Sequence, residues 1–415
     1  MNFNVLPFIA TYRKAIFLLL FTFFFVNLGC AQKQLSKKEK VADFEYLYEE
    51  FKASYPYFGI NKRVYQIDWL ANKKKYLKTI KNTKNDTAFF KAINDILNDL
   101  HNGHTDAYPT IIYNYFYTGY QQGVAQDSVY YNYVKELEKT DSIRSQYWKA
   151  INHKLFFSDT DSDEVEVVKI EEETPKNIEA YFIDSLSTAI VHIKSFSYEY
   201  VTQDADTLKS LFHKTTNYKN LIIDIQGNDG GSTEYWLQNM IPYLIKDTIT
   251  FPVIYAFKNS KRLQKFKPDY FENTLTYEEI GLPNMPEELT NGSYVFRKEN
   301  TTITPISNDY THVQNIYLLV DNAVFSSSET LAYFCKATNF ATVAGEKTSG
   351  DGVGTDPLLL TLPNSGIVIR FTGEMGLNPD GSANDETKTV PDLILKASNK
   401  EERRKKLLDY IKQKN

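Results

Sequence analysis

The chain has 415 residues, enough for one large or two ordinary domains, and its 42% hydrophobic and 24% charged residues are typical of a globular protein. Its formal net charge of −5 leaves no basic excess to neutralise phosphates, so we expect no nucleic-acid partner.

The first segment of the chain predicts export. A positively charged pair precedes the apolar run 15–26, which is short for a spanning helix of about 20 residues and typical of a signal-peptide core. Gly29 before Cys30 resembles a bacterial lipoprotein processing site, although Asn27 stands where a leucine is usual. We therefore expect residues 1–30 to be a signal peptide ending at a lipidated Cys30. Secretion without lipid and an uncleaved anchor are the alternatives.

This interpretation implies a protein of the cell envelope. The lipid would anchor it to a membrane, facing the periplasm or the cell surface. The sequence contains one further cysteine, Cys335, which would then have no disulfide partner. Cys335 lies in an apolar helical stretch, so we expect it to be buried by packing.

The segment that follows the predicted signal peptide is predicted to be helical. Residues 31–110 are interpreted as a tether followed by an N-terminal helical domain, because apolar side chains recur at helical spacing within 44–51 and 89–100. Residues 111–178 are rich in tyrosine and then acidic, which indicates a variable insert.

The pattern changes near residue 180. Short apolar strands alternate with helical stretches over residues 179–400, which predicts an α/β core. Within that core, Leu358–Leu362 and Gly366–Phe371 flank a turn and predict a hairpin. Residues 401–415 form a charged C-terminal helix, whose basic run 403–406 is expected to be solvated.

A strand, a tight turn and a helix follow one another over residues 318–330, LLVDNAVFSSSET. A serine at such a turn can act as a nucleophile, because the free N–H groups of the helix N-terminus stabilise an oxyanion beside it. Ser326 is the candidate. Ser326 and Glu329 also match a capping box, and this stretch alone favours capping.

Three further segments carry candidate chemistry. Residues 224–231 place consecutive glycines directly after a buried strand, where their N–H groups can approach a ligand. His101 and His104 follow a helix, and a neutral imidazole is the usual general base for a serine. No further close histidine or cysteine completes a metal site, so we expect no metal. The glycine-rich stretch 345–354 lacks the helix of a dinucleotide site and is interpreted as a loop shaping a peptide groove.

The order of these segments resembles that of the C-terminal-processing (tail-specific) and tricorn-core serine peptidases. That family has L-x-D-G-H-T after a helix, D-L-R-x-N-x-G-G after a strand, x-x-S-x-x-E in a strand-turn-helix, and G-E-x-T-x-G after another strand. The matching segments are LHNGHT (100–105), DIQGNDGG (224–231), VFSSSE (324–329) and GEKTSG (345–350), with TVPD (389–392) near the end.

The resemblance covers roughly residues 85–395 and implies an α/β fold with a crotonase/ClpP-like spiral core and an N-terminal helical domain. One branch of the family uses a serine and a lysine that directly follows G-E-x-T-x-G, and Asp351 stands at that position. The tricorn-like branch uses a serine, a histidine and a late acid. It implies Ser326 as nucleophile, His104 as general base and Glu386 as the acid that orients it, with Asp385 as the alternative acid.

The same resemblance implies an oxyanion hole made by the N–H of Ser327 and the N–H of Gly230 or Gly231. It also implies a protein or peptide substrate, cleavage through an acyl-enzyme, and no cofactor.

This chain departs from the family pattern at Asn102, Gln226 and Asp229, and the insert shows no clear PDZ module. These departures leave two alternatives open. One is a catalytically impaired peptidase-fold lipoprotein that binds peptides, and the other is a different acyl-transfer or hydratase chemistry on the same core.

Overall fold

The structure is a computed structural model that describes residues 34–107, 110–125, 127–139, 176–306 and 313–414. The predicted signal peptide and Cys30 therefore lie outside the described residues, as does the acidic part of the predicted insert. None of the helices in the described ranges combines the length and the apolar character needed to cross a bilayer.

The N-terminal region is helical, as the apolar spacing predicts. Ser36 and Glu39 form a capping box at the start of the first helix, and Asn85 caps the fourth. The apolar faces of these helices are buried in the main core. The predicted helical domain contains α1 (Lys37–Ser54), α2 (Phe58–Tyr65), α3 (Lys73–Lys81) and α4 (Asp86–Asn98). The segment predicted as a variable insert contains two further helices, α5 (Thr110–Gly123) and α6 (Tyr130–Glu138).

A six-stranded mixed sheet forms the centre of the α/β core. Its strands lie in the order β12-β8-β7-β4-β3-β2, and every neighbouring pair is parallel except β2 with β3. Their central members are buried apolar runs, as expected of parallel strands covered on both faces. They are β2 (Ile178–Ile183), β3 (Thr188–Ile193), β4 (Asn220–Asp224), β7 (Asn315–Val320), β8 (Thr342–Gly345) and β12 (Leu393–Ile394).

Helices connect and cover these strands. The helix that begins at Glu234 ends at Asn239, because the chain then turns into a 3₁₀ segment, Ile241–Tyr243, that contains Pro242. The helices are α7 (Tyr198–Gln203), α8 (Ala205–Thr215), α9 (Glu234–Asn239), α10 (Lys261–Phe266), α11 (Tyr277–Ile280), α12 (Ser327–Thr338), α13 (Asn384–Thr387) and α14 (Lys400–Lys414). Further 3₁₀ turns span Asp184–Leu186, Pro268–Phe271 and Glu287–Asn291.

Two three-stranded antiparallel sheets complete the core. One has the order β11-β5-β6 and the other β1-β10-β9. In the second, β9 and β10 form the hairpin that the sequence predicts. The strands are β1 (Asp106–Ala107), β5 (Ile249–Lys258), β6 (Tyr294–Ile303), β9 (Leu358–Thr361), β10 (Val368–Phe371) and β11 (Glu374–Leu377).

The topology brings the sequence motifs together. The carboxyl ends of neighbouring parallel strands lie at the same edge of a sheet, and ligand sites of α/β proteins form there. β4 ends at Asp224, β7 at Val320 and β8 at Gly345, so the loops that follow them share one edge. The mixed α/β class and the helical N-terminal region are thus confirmed.

The C-terminal helix is an integral part of the core. Leu407 and Ile411 of α14 are buried against one face of the six-stranded sheet. The prediction that the basic run 403–406 is solvated is wrong for its first two residues: the Arg403 side chain is 5% exposed and the Arg404 side chain 18%. Both guanidinium groups pair with carboxylates of the core.

Candidate active site

Ser326 occupies a strained turn between β7 and α12. Its backbone has φ 55° and ψ −127°, the conformation of the first central residue of a type II′ turn, which glycine usually adopts. A non-glycine residue held there costs about 1–3 kcal/mol, and such strain concentrates at functional sites. A strand-to-helix turn of this kind presents the serine hydroxyl at the end of the strand and in front of the helix N-terminus.

The capping interpretation of Ser326 is wrong. Its side chain makes no capping hydrogen bond to the first turn of α12. Glu329 does not reach back to the turn either. It is fully buried and accepts hydrogen bonds from Asn384 Nδ2 at 3.0 Å and Thr389 Oγ1 at 2.7 Å. This burial raises the pKa of Glu329.

His104 lies beside the Ser326 hydroxyl. Its Nε2 atom is 3.1 Å from Ser326 Oγ, within hydrogen-bond reach. The imidazole packs on the Phe325 ring with 4.6 Å between ring centroids. Gly103 makes room for that ring, because a Cβ atom there would lie 2.6 Å from Phe325 Cζ. The structure therefore brings together the serine and the histidine that the sequence singled out.

The carboxylate that contacts His104 is Asp351. Its Oδ2 atom lies 2.8 Å from His104 Nδ1. The same oxygen accepts a hydrogen bond from Asn102 Nδ2 at 2.8 Å, and Oδ1 accepts one from the Tyr57 hydroxyl at 3.3 Å. Burial by itself would raise the pKa of Asp351, but the charge of His104 and the hydrogen bonds from His104 and Asn102 outweigh it and lower that pKa.

The prediction that Glu386 orients His104 is therefore wrong, and so is the alternative, Asp385. Glu386 accepts hydrogen bonds from Arg63 Nε at 2.9 Å and Nη2 at 2.6 Å. Asp385 pairs with Lys388 Nζ at 3.1 Å. Burial, together with the charge of Asp351, raises the pKa of Asp385 to about 7.

Sequence reasoning missed Asp351 because it was considered only as the residue that replaces a lysine. Its backbone is left-handed, with φ 53°, directly after Gly350 with φ 79°. This sharp turn aims the side chain back toward His104. The available signal was an acidic residue in the glycine-rich loop that follows β8, at the edge of the sheet shared with Ser326.

Of the three backbone N–H groups predicted to form the oxyanion hole, one already donates a hydrogen bond within the protein. The Gly230 N–H donates to Asn228 Oδ1 at 3.0 Å, so the prediction that it is a free donor is wrong. Gly230 has a packing role instead, because a Cβ atom there would lie 2.8 Å from Ser326 Cβ and 2.9 Å from Ser327 N. The N–H groups of Gly231 and Ser327 have no hydrogen-bond acceptor within the described part of the chain.

Two polar residues fix the glycine turn against the Ser326 turn. Asp321 Oδ1 accepts hydrogen bonds from the Gly227 N–H at 2.9 Å and from the Ala323 N–H at 3.1 Å. The Ser328 hydroxyl donates to the Asn228 carbonyl at 2.6 Å. The glycine turn is thereby held in one position relative to the serine.

The three departures from the family pattern fit their surroundings. Asn102 donates to Asp351, whereas an aspartate there would place a second carboxylate oxygen against Asp351 with no hydrogen between them. Gln226 accepts a hydrogen bond from Arg403 Nη1 at 2.6 Å. Asp229 is exposed at the tip of the glycine turn. Within the described ranges, no three histidine, cysteine, aspartate or glutamate side chains are grouped as a metal site.

Ser326, His104 and Asp351 are in hydrogen-bond contact beside two backbone N–H groups that have no acceptor among the described residues, and this is the arrangement that a serine-type peptidase requires. The sequence model of Peptidase family S41 matches residues 187–395, half of the chain, and the chain belongs to that family. No curated protein sequence matches it significantly.

Solved structures share the fold. A protein of Parabacteroides merdae ATCC 43184 superimposes with a TM-score of 0.55 at 16% sequence identity, over 90% of this chain and 96% of that one. Mature CPAF superimposes with a TM-score of 0.55 at 12% identity, over 91% of this chain and 97% of that one. At such identities the likeness concerns the fold alone.

Proposed function

We propose that this serine peptidase is an endopeptidase of the cell envelope, and that it cleaves peptide bonds of proteins or peptides through an acyl-enzyme on Ser326. The observation that carries the proposal is the chain of contacts from Ser326 Oγ to His104 Nε2, at 3.1 Å, and from His104 Nδ1 to Asp351 Oδ2, at 2.8 Å.

The proton movements follow from these contacts. His104 takes the proton of the Ser326 hydroxyl as the oxygen attacks the carbonyl carbon, and later gives a proton to the leaving amine. Asp351 holds the proton on Nδ1, so that Nε2 is free to accept, and it stabilises the cation that forms. Water then hydrolyses the acyl-enzyme with His104 again acting as base.

The negative charge that develops on the carbonyl oxygen needs fixed donors. The N–H groups of Ser327 and Gly231 are the pair we assign to it. Ser327 is the first residue of α12, where the helix dipole also favours negative charge. Each such donor contributes about 2.7–4 kcal/mol to lowering the barrier.

The envelope location rests on the sequence of residues 1–30. We propose that Cys30 carries the lipid that tethers the protein to a membrane. Metabolic labelling with an alkyne fatty acid should mark the wild-type protein and leave Cys30→Ser unmarked. Equal labelling of both proteins would contradict the anchor and leave the peptidase assignment untouched.

The catalytic proposal is tested with Ser326→Ala and an unfolded protein substrate such as casein. We expect the variant to lose hydrolysis by a factor of at least about 10³, with an unchanged circular dichroism spectrum. Ser293→Ala is the matched control, because Ser293 is exposed and distant in sequence from every site residue. Hydrolysis by Ser326→Ala at the wild-type rate would contradict the proposal. Binding of unfolded protein without hydrolysis by the wild type would support a peptide-binding protein instead.

A further inference from the structure

The C-terminal helix α14 contacts two of the loops that form the active site. Among the basic residues of its first turns, Lys400, Arg403 and Arg404 face the carboxyl ends of β4 and β8. Gly227 has no side chain, and this allows Lys400 to lie directly over it. The helix therefore contacts the loop after β4, which holds Gly231, and the loop after β8, which holds Asp351.

Arg404 neutralises a buried carboxylate at the start of the glycine turn. Asp224 is fully buried, and its Oδ2 atom accepts hydrogen bonds from Arg404 Nε at 2.9 Å and Nη2 at 2.7 Å. Burial opposes ionisation of Asp224, but contacts from His192 and Arg404 outweigh it and lower the pKa of Asp224. Removing one partner of such a buried pair leaves an uncompensated charge.

Arg403 bridges the two loops with a single guanidinium group. Nη1 donates to Gln226 Oε1 at 2.6 Å, and Gln226 lies within the glycine turn. Nη2 pairs with Glu346 Oε2 at 2.7 Å, and Glu346 is the first residue after β8. Nε donates to the Leu395 carbonyl at 3.2 Å. All three guanidinium nitrogens of this buried side chain therefore have a hydrogen-bond or ion-pair partner. The planar guanidinium group fixes the relative directions of these contacts.

The bridge connects two parts of the proposed catalytic machinery. Gln226 precedes Gly231, whose N–H is a proposed oxyanion donor. Glu346 precedes Asp351, which contacts His104. A shift of about 1 Å in such groups can lower a rate about 100-fold, even when the changed residue lies away from the reaction.

We propose that Arg403 is a positioning residue of the peptidase: it sets the glycine turn and the Asp351 loop relative to each other from the C-terminal helix. The family pattern has an arginine in the glycine turn at the place of Gln226. In this chain the guanidinium group at that turn comes from α14. The inference deepens the proposed function and rests on it.

The test uses Arg403→Gln in the full chain, with Arg403→Lys as the conservative variant. We expect Arg403→Gln to lower kcat between about tenfold and about 100-fold with little change in KM, because the groups it displaces act on the transition state. Arg403→Lys keeps the charge and loses the fork, so its kcat should lie between those of Arg403→Gln and the wild type.

Hydrogen exchange supplies a readout that does not depend on activity. Amides of residues 227–231 and 346–351 should exchange faster in Arg403→Gln than in the wild type, while amides of α1 and α4 should not. Lys405→Gln is the matched control, since it removes the same charge from an exposed position of the same helix.

The possible outcomes distinguish the positioning role of Arg403 from the proposed peptidase function. Wild-type kcat and wild-type exchange in Arg403→Gln would overturn the positioning role. Faster exchange throughout the protein, with activity lost only in proportion to the unfolded fraction, would also overturn it, because Arg403 would then be a general stability residue. A wild-type protein without hydrolytic activity would contradict the proposed function, and the exchange result would still decide whether Arg403 holds the two loops.

Discussion

Asn102 Nδ2 lies 2.8 Å from Oδ2 of Asp351, the same oxygen atom that His104 Nδ1 contacts. The two residues are separated by 249 positions in the chain, and each replaces a residue of the family pattern. The two replacements are complementary. A buried aspartate at position 351 needs hydrogen-bond donors around it, and an asparagine at position 102 supplies one without adding negative charge.

Asp351→Asn tests the identity of the orienting acid. The amide cannot hold the Nδ1 proton of His104 in the required tautomer, so kcat should fall by about 10⁴-fold. Glu386→Gln is the matched control: Glu386 contacts Arg63 rather than His104, and its kcat should stay close to that of the wild type. Steady-state kinetics on one peptide substrate measure both. A larger loss in Glu386→Gln than in Asp351→Asn would restore the acid predicted from the sequence.

Asn102→Ala tests the donor to Asp351. Its hydrogen bond helps to lower the pKa of Asp351, so the carboxyl of Asp351 should titrate at a higher pH in the variant than in the wild type. The loss of a hydrogen bond to a charged group corresponds to a shift of about one pH unit or more in the titration profile of the Asp351 carboxyl, which NMR can follow. Asn98→Ala, an exposed amide at the end of α4, should leave the profile unchanged. Overlapping profiles for the wild type and Asn102→Ala would contradict the role.

Asp385→Asn should change how stability depends on pH. The pKa of Asp385 is about 7 in the folded protein, whereas an unfolded chain releases this proton near the ordinary pKa of 3.8. The folded state therefore binds more protons between these values, and wild-type stability should fall as the pH rises through that window. In Asp385→Asn this carboxylate is absent, so the free energy of unfolding should not fall in this way as the pH rises. The Tm of Asp385→Asn should match the wild type near pH 4 and exceed it at pH 8, and the opposite trend would show that Asp385 is ionised in the folded protein.

Gly230→Ala tests the close approach of the glycine turn to Ser326. Both Gly230, with φ 105°, and Gly292, with φ 73°, adopt left-handed conformations that a side chain disfavours by about 1–2 kcal/mol. A Cβ atom at Gly230 also meets Ser326 and Phe325 at 2.8 Å, whereas one at Gly292 meets nothing within 4 Å.

We therefore expect Gly230→Ala to lose about 1–3 kcal/mol more stability than Gly292→Ala, and to lose most of its activity. Denaturant unfolding and the peptide assay measure the two effects. Equal activity in the two alanine variants would mean that the turn does not need to lie against Ser326.

The sequence predicted the parts of the fold and site that have a local signature. The buried strands around Leu221 and Leu318, the strand-turn-helix at Ser326 and the histidine after α4 could each be found from spacing and residue type. They could be combined because parallel strands bring their carboxyl ends to one edge of a sheet.

Asp351 and Arg403 had no such signature. The direction of the Asp351 side chain depends on two successive left-handed residues in a loop, and no periodic pattern reports that conformation. Arg403 was interpreted as solvated because charged runs usually are. The burial of Arg403 depends on where α14 packs. Leu407 and Ile411 of the same helix determine that position, because they pack against one face of the six-stranded sheet.

The central claim is that Ser326 is a nucleophile activated by His104 and Asp351. Its most direct test is covalent labelling of the folded wild-type protein with a fluorophosphonate, followed by intact mass measurement and peptide mapping. We predict one adduct per chain, located on Ser326, and labelling slowed by several orders of magnitude in His104→Ala. An unmodified Ser326 in folded protein, or an adduct on another residue, would contradict the account.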